Sequence, residues 1–258
     1  MNKIALIHCG CHKTGSTTIQ HILKKNEKKI DFYIPQTYRL NYYPINHAPL
    51  AWEILKDIRF KDLSSTLSKL KEEVKNKEKI MLSSEDFALV LSNEKMKKKF
   101  EEIFSDFNII YICFIRTDST RDLTIINEFR YHYKYLKKLN IFRDLLKLKK
   151  FGYVSHNIYP SYEKSYYFTS HKLLIKNFKK NTKSKFFFLN FDYKNNVLDV
   201  LKKINLFKNI EIDKNYLNSR KSKKIYNFIK FFLKSKKIYI NKNRNFQKIS
   251  ILNKILDD

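Results

Sequence analysis

A short apolar run that ends in a glycine-containing loop constrains the fold more than any other feature of the chain. Residues 4–7 form the run, and the stretch IHCGCHKTGSTTIQ continues from it over residues 7–20. After the loop, apolar residues recur with the spacing of one helix face, at Ile19, Ile22, Leu23 and Ile30. The sequence therefore predicts a strand, a loop and a helix in immediate succession.

Three further strands are predicted downstream, at residues 79–83, 109–115 and 185–189. The last two are apolar at successive positions, as strands covered on both faces are. Helical patterns lie around residues 50–58, 63–74, 94–104, 123–148 and 197–204. Strands that alternate with helices predict a single α/β domain with a parallel sheet flanked by helices on both faces, and the glycine loop after the first strand makes the predicted sheet P-loop-type.

The charge balance favours an anionic partner. The chain has 53 Lys and Arg against 25 Asp and Glu, a net charge of +28. Such a surface attracts nucleotides, acidic glycans, nucleic acid or anionic lipid. Codon bias in an AT-rich genome would also enrich lysine, so composition alone leaves the choice open.

The segment 221–237 has a composition of its own. One apolar stripe is surrounded by lysines; it consists of Ile225, Phe228, Ile229, Phe232 and Leu233. The pattern fits a helix on an anionic membrane surface or a terminal helix packed on the core. We expect the packed arrangement, with residues 223–258 as a basic amphipathic helix and tail on the same domain as residues 1–222.

Signals for export, membrane spanning and metal binding are weak. The first apolar run is too short for a signal peptide, and no window approaches the roughly 20 apolar residues of a spanning helix. His8, Cys9, Cys11 and His12 lie too close in sequence to close a tetrahedron around one ion. We therefore predict a cytoplasmic protein without a metal, with peripheral contact at the inner membrane surface as an open alternative.

The loop has the chemistry of an anion site. A glycine turn between a strand and a helix directs the N–H groups of residues 15–18 into one concavity at the positive end of the helix dipole. Lys13 lies before Gly15, whereas an ATP-binding loop has its lysine after the second glycine, followed by a Ser or Thr for magnesium. This order argues against an ATPase or GTPase.

The run HKTGSTTIQ, residues 12–20, resembles the HKTGTTSIQ signature of the bacterial sulfotransferase family. Members of that family take a sulfuryl group from 3'-phosphoadenosine 5'-phosphosulfate (PAPS) and release adenosine 3',5'-bisphosphate. The resemblance continues in NHAPLA (46–51), MLSSEDF (81–87), FIRTDSTRDLTIINEF (114–129) and NYLNSRKS (215–222). It implies a sulfotransferase domain over residues 1–222.

The resemblance also implies which residues hold PAPS. The phosphosulfate end would bind the loop, through His12, Lys13, Thr14, Gly15, Ser16, Thr17 and Thr18. The 3'-phosphate would bind Arg116 and Thr124, where the family has an Arg and a Ser, and Asn218 and Ser219 match a late segment of the family. The planar guanidinium of Arg116 suits two phosphate oxygens at once, and the preceding apolar strand places this residue at the carboxyl edge of the sheet.

Sulfuryl transfer to a hydroxyl is an in-line displacement, in which Lys13 would stabilise the departing oxygen and a base would accept the proton. Two residues are candidates for this base. His47 lies between the first two predicted helices, and Glu85 follows the predicted strand at 79–83. The ordinary pKa of histidine suits a base near neutral pH, and burial could raise that of Glu85 into the working range. We weigh His47 slightly above Glu85.

The sequence thus predicts a PAPS-dependent sulfotransferase that acts on a hydroxyl of a carbohydrate or glycolipid, with no specific nucleic-acid partner. One alternative is a P-loop kinase of a small molecule. The other is a basic protein that binds polyanions or membranes and keeps a degenerate loop.

Overall fold

The structure is a computed structural model, which describes residues 3–10, 14–41, 45–56, 60, 64–116, 153–155, 166–169, 175, 178, 184–191, 197–207, 210 and 242–257. Six strands lie in this part of the chain: β1 (Ile4–Cys9), β2 (Lys79–Ser84), β3 (Asn108–Arg116), β4 (Tyr153–Ser155), β5 (Tyr166–Thr169) and β6 (Lys185–Phe191). The α-helices are α1 (Ser16–Lys25), α2 (Ala48–Ile54), α3 (Ser64–Val74), α4 (Phe87–Ser92), α5 (Glu94–Ile103), α6 (Val197–Leu201) and α7 (Lys242–Asp257).

Four strands form one parallel sheet in the order β2-β1-β3-β6. Ile4 pairs with Lys79 of β2 on one side and with Asn108 of β3 on the other. The chain therefore moves from β1 to one neighbour and then crosses to the opposite side. Ligands bind at such a switch point in open α/β sheets, beyond the carboxyl ends of the two strands. Here that position lies between β1 and β3.

Helices cover both faces of the sheet. Ala5, Ile7 and Cys9 of β1 pack in one buried cluster with apolar residues of α2, α3, α4 and α5. Ile4 and Leu6 pack in a second cluster with α1, α6 and α7. Side chains of a strand alternate between its faces, so a strand that is buried on both sides is apolar at consecutive positions. The prediction of an α/β fold with a parallel sheet between helices is confirmed.

Strands β4 and β5 form a separate antiparallel pair with an irregularity between Val154 and Ser155. Helix α7 packs on the second cluster through Ile249 and Leu252. Lys248 Nζ of the same helix donates to the carbonyl of Phe188 in β6 at 3.2 Å. The predicted helices at 123–148 and 221–237 lie outside the described residues. Within the part of the chain that is described, no helix combines the length and apolar composition that crossing a membrane requires.

Candidate functional site

The loop after β1 leads into the first turn of α1. Gly15 is the N-cap residue of α1, with φ 82° and ψ 15° in the left-handed region, which glycine adopts without steric cost. It has no side chain to cap the helix, and the first turn contains no acidic residue. The first N–H groups of a helix lack partners within the helix, so this end favours an anion. His12 and Lys13, predicted for the same site, lie outside the described residues.

The hydroxyl groups of this turn differ in exposure. Thr14, Ser16 and Thr18 are buried, and Thr17 is partly exposed. The Ser16 Oγ atom is buried and finds no hydrogen-bond partner among the described residues. The structure thus brings together the predicted residues from Thr14 to Thr18 at the start of α1.

Gly10 is the first residue after β1, and polar side chains of the site lie close to its backbone. A Cβ atom at this position would lie 2.2 Å from Ser16 Oγ, 3.2 Å from Thr14 Oγ1 and 3.5 Å from His8 Nε2. The first of these distances is far below any van der Waals contact. A side chain at position 10 would therefore displace the Ser16 hydroxyl from its place above β1.

His8 is a further polar residue of the site, and the sequence pattern indicated it only as an unsuitable metal ligand. Its Nδ1 lies 2.8 Å from the Ser83 hydroxyl of β2, and its ring meets Phe114 of β3 edge-on at a centroid distance of 5.6 Å. Its Nε2 is buried and has no hydrogen-bond partner among the described residues. Burial lowers the pKa of His8 to about 4, against the opposing charge of Glu85, so the ring is neutral at pH 7.

Glu85 follows β2 at the same edge of the sheet. Cys9 pairs with Ser84, so Glu85 comes level with Gly10 as the two strands end. Glu85 is partly exposed, and its carbonyl accepts a hydrogen bond from the N–H of Ala88 as α4 begins. The carboxylate of Glu85 also acts electrostatically on His8. Glu85 therefore lies beside the loop with access to solvent.

His47 lies on the other side of β2 from the loop and is fully buried. Its Nδ1 accepts a hydrogen bond from the N–H of Ser83 at 3.2 Å, which requires that Nδ1 carry no proton. Its Nε2 therefore carries the proton and donates to the carbonyl of Pro35 at 3.0 Å. Burial lowers the pKa of His47 to about 4. Both ring nitrogens are occupied by the backbone in this arrangement.

Arg116 is the last residue of β3 and pairs with Phe191 of β6. His8 is level with Ile112, so the end of β3 extends past the end of β1, alongside the loop. The backbone of Arg116 thus reaches the carboxyl edge of the sheet at the switch point, as predicted. Thr124, Asn218 and Ser219 lie outside the described residues.

Comparison with known proteins does not identify a function for this site. No protein-family model matches the chain, and no curated protein matches it with significant sequence similarity.

Proposed function

We propose that this protein is a P-loop-type sulfotransferase, which moves a sulfuryl group from PAPS to a hydroxyl of a carbohydrate or glycolipid. One observation carries the proposal: the turn at Gly15 follows β1, and Arg116 is the last residue of the neighbouring parallel strand β3, at the same edge of the sheet. PAPS has anionic groups at two ends, a 5'-phosphosulfate and a 3'-phosphate. Two anion sites at adjacent strand ends suit such a ligand.

The reaction requires one bond to form and one to break at sulfur. The acceptor oxygen bonds to sulfur, and the bond from sulfur to the bridging oxygen of the 5'-phosphate breaks. Adenosine 3',5'-bisphosphate leaves with the bonding electron pair, and the acceptor proton moves to a base. The N–H groups at the start of α1 and the ammonium of Lys13 would balance the charge that develops on the leaving phosphate.

Glu85 suits the role of base better than His47 in this arrangement. Glu85 is partly exposed beside the loop, where an acceptor hydroxyl could approach. His47 is fully buried, and both ring nitrogens already bond to backbone groups. A base must lie within hydrogen-bond reach of the proton that it removes. We assign His47 the role of holding the end of β2 in place.

The first test is nucleotide binding by calorimetry. We expect the wild-type protein to bind adenosine 3',5'-bisphosphate without magnesium and more tightly than ATP with magnesium. A Walker-type kinase would show the reverse preference. Arg116→Ala should weaken binding of the bisphosphate, while Arg116→Lys should retain part of it because the charge remains without the planar fork. Equal binding by wild type and Arg116→Ala would exclude the proposed 3'-phosphate site.

The second test is transfer itself. The protein is incubated with sulfur-labelled PAPS and a mixture of acceptor glycans and glycolipids, and products that gain a sulfate mass are identified by mass spectrometry. Glu85→Gln should abolish most of the transfer and leave binding of the bisphosphate unchanged. Nucleotide binding without transfer to any hydroxyl acceptor would contradict the proposed reaction.

The dependence of binding on salt concentration distinguishes a non-catalytic polyanion-binding surface from a specific nucleotide site. A purely basic surface would lose affinity steeply as salt rises and would not respond to Arg116→Ala. A specific nucleotide site depends on Arg116 at every salt concentration.

A further inference from the structure

We propose that His8 Nε2 and Ser16 Oγ form an inner contact of the anion site, beneath the loop, which donates hydrogen bonds to the tetrahedral oxyanion bound at the start of α1. The identity of that oxyanion as the 5'-phosphate or phosphosulfate of a nucleotide rests on the proposed function. The inner contact itself is inferred from the described residues alone.

The two atoms meet at Gly10. Both surround the position that a Cβ on Gly10 would occupy, Ser16 Oγ at 2.2 Å and His8 Nε2 at 3.5 Å from it. His8 is 1% exposed and Ser16 is 3% exposed. Because glycine has no side chain, both polar atoms can lie close to the backbone at position 10. They converge between the end of β1 and the first turn of α1.

Neither atom has a partner in the described part of the chain. Most buried polar side-chain atoms in proteins are hydrogen-bonded, because leaving one unpaired lowers the stability of the fold. His47 follows that rule, since both of its nitrogens bond to backbone groups. Two buried atoms that both face Gly10, beside the first turn of α1, and that have no partner among the described residues point to a bound ligand group.

The chemistry of the pair suits an anion. His8 is held on both sides, by the Ser83 hydroxyl at Nδ1 and by the edge-on ring of Phe114. When the Ser83 hydroxyl donates to Nδ1, the proton of the neutral ring is on Nε2, which then donates. The Ser16 hydroxyl is a second donor. Neutral donors can bind an oxyanion in a buried site without the free-energy cost of burying a charged side chain as well.

Two amide substitutions at position 8 test the roles of the two ring nitrogens one at a time. His8→Gln places an amide donor near the position of Nε2, whereas His8→Asn keeps a polar group near Nδ1 for Ser83 and removes the donor at Nε2. Ser16→Ala removes the other donor without altering β1. His21→Gln, on the partly exposed side of α1, is the matched control. Thermal unfolding of each variant reports on folding.

Binding is measured by calorimetry with adenosine 3',5'-bisphosphate, adenosine 3'-monophosphate and inorganic pyrophosphate. We expect His8→Asn and Ser16→Ala each to weaken binding of the bisphosphate by about 10-fold to 100-fold, as for the loss of a hydrogen bond to a charged group. His8→Gln should bind more tightly than His8→Asn because it restores a donor near Nε2, and His21→Gln should stay within about 3-fold of the wild type. Binding of adenosine 3'-monophosphate, which lacks the 5' group, should not change in any variant.

The outcomes separate this inference from the proposed function. If the wild type binds the bisphosphate and folded His8→Asn and Ser16→Ala bind it equally well, the inner contact is refuted and the sulfotransferase proposal stands. If the wild type binds pyrophosphate but not the bisphosphate, and both variants weaken pyrophosphate, the inner contact stands and the proposed ligand is wrong. Wild-type protein that binds neither ligand overturns both. Should His8→Asn fail to fold, Ser16→Ala decides alone.

Discussion

The N–H of Ser83 donates to Nδ1 of His47 at 3.2 Å, while the carbonyl of Ser83 accepts from the N–H of His47 at 2.8 Å. The hydroxyl of Ser83 lies 2.8 Å from Nδ1 of His8. Ser83 therefore contacts both imidazoles, that of His47 through its N–H and that of His8 through its hydroxyl, while its carbonyl bonds to the backbone of His47. The His47 imidazole holds the outer side of β2, and the His8 imidazole lies under the loop.

The first prediction distinguishes a structural His47 from a catalytic one. His47→Ala should lower the free energy of unfolding by about 2–4 kcal/mol, because it leaves a cavity and an unpaired Ser83 N–H. Glu85→Gln, at a partly exposed site, should change it by less than about 0.5 kcal/mol and abolish transfer. Urea denaturation and a transfer assay on the same preparations measure both effects. Full stability with lost activity in His47→Ala would restore His47 as the base.

The second prediction concerns pH. His8 and His47 have pKa values lowered to about 4 in the folded protein, below the ordinary value of about 6.5. The unfolded chain therefore binds more protons between these two values, so stability is highest above about pH 6.5 and falls as pH decreases toward 4. The loss is on the order of 3 kcal/mol for each buried histidine.

Urea denaturation at a series of pH values between about 7.5 and 4.5 measures this slope. His47→Asn should reduce the slope by about half, since one of the two neutral imidazoles is gone. A wild-type stability that does not vary over this range would contradict the burial of neutral histidines.

The strands of the sheet were predictable because each is apolar over consecutive residues. The predicted run at 79–83 corresponds to β2 and the run at 109–115 to β3, with ends that differ by one residue. Helix α4 was not predicted, since its six residues, FALVLS, are too few to show a helical period. Ile30 was assigned to the first helix, but α1 ends at Lys25 and Ile30 is buried after a short 3-10 turn.

The contacts within the candidate site were predictable only where its residues are contiguous, although the end of β3 at Arg116 also followed from the sequence pattern. The glycine loop and the first turn of α1 lie in one stretch, so their chemistry follows from local order. The partners of His47 are Pro35 and Ser83, and those of His8 come from β2 and β3. Such contacts depend on strand register, which local sequence does not determine. A histidine within an apolar strand, two residues before Gly10, was the one available signal for His8.

The third prediction tests the close contact between Gly10 and the Ser16 hydroxyl. Gly10→Ala places a Cβ 2.2 Å from Ser16 Oγ, so the hydroxyl must leave its present rotamer and Thr14 must shift slightly. We expect a loss of about 1–3 kcal/mol in unfolding free energy. Adding Ser16→Ala removes the clashing atom, so the double variant should be more stable than the sum of the single effects by about 0.5 kcal/mol or more. Urea denaturation of the four proteins completes the cycle, and strict additivity would show that the two residues do not touch.

The fourth prediction concerns Glu73 of α3, which holds the segment that carries Pro35. Its carboxylate accepts hydrogen bonds from the Tyr33 hydroxyl at 2.8 Å and from the N–H groups of Gln36 and Thr37 at 2.6 and 3.0 Å. Partial burial opposes its charge, but the hydrogen bonds outweigh burial and lower the pKa of Glu73. Its contribution is therefore present above the ordinary pKa of glutamate and is lost as pH falls through the lowered one.

Glu73→Gln should reduce the free energy of unfolding by about 1–3 kcal/mol at pH 7, because an amide cannot accept at both of its terminal atoms. The neighbouring Glu72 is exposed and only 3.8 Å from Lys75, so Glu72→Gln is a matched control with an expected change below about 0.5 kcal/mol. Urea denaturation at pH 7 and at about pH 3 measures both variants, and the difference between Glu73→Gln and wild type should shrink at the lower pH. Equal effects of the two substitutions at pH 7 would mean that the three hydrogen bonds do not hold this segment. The carbonyl of Pro35 would then need another support to keep the His47 ring in place.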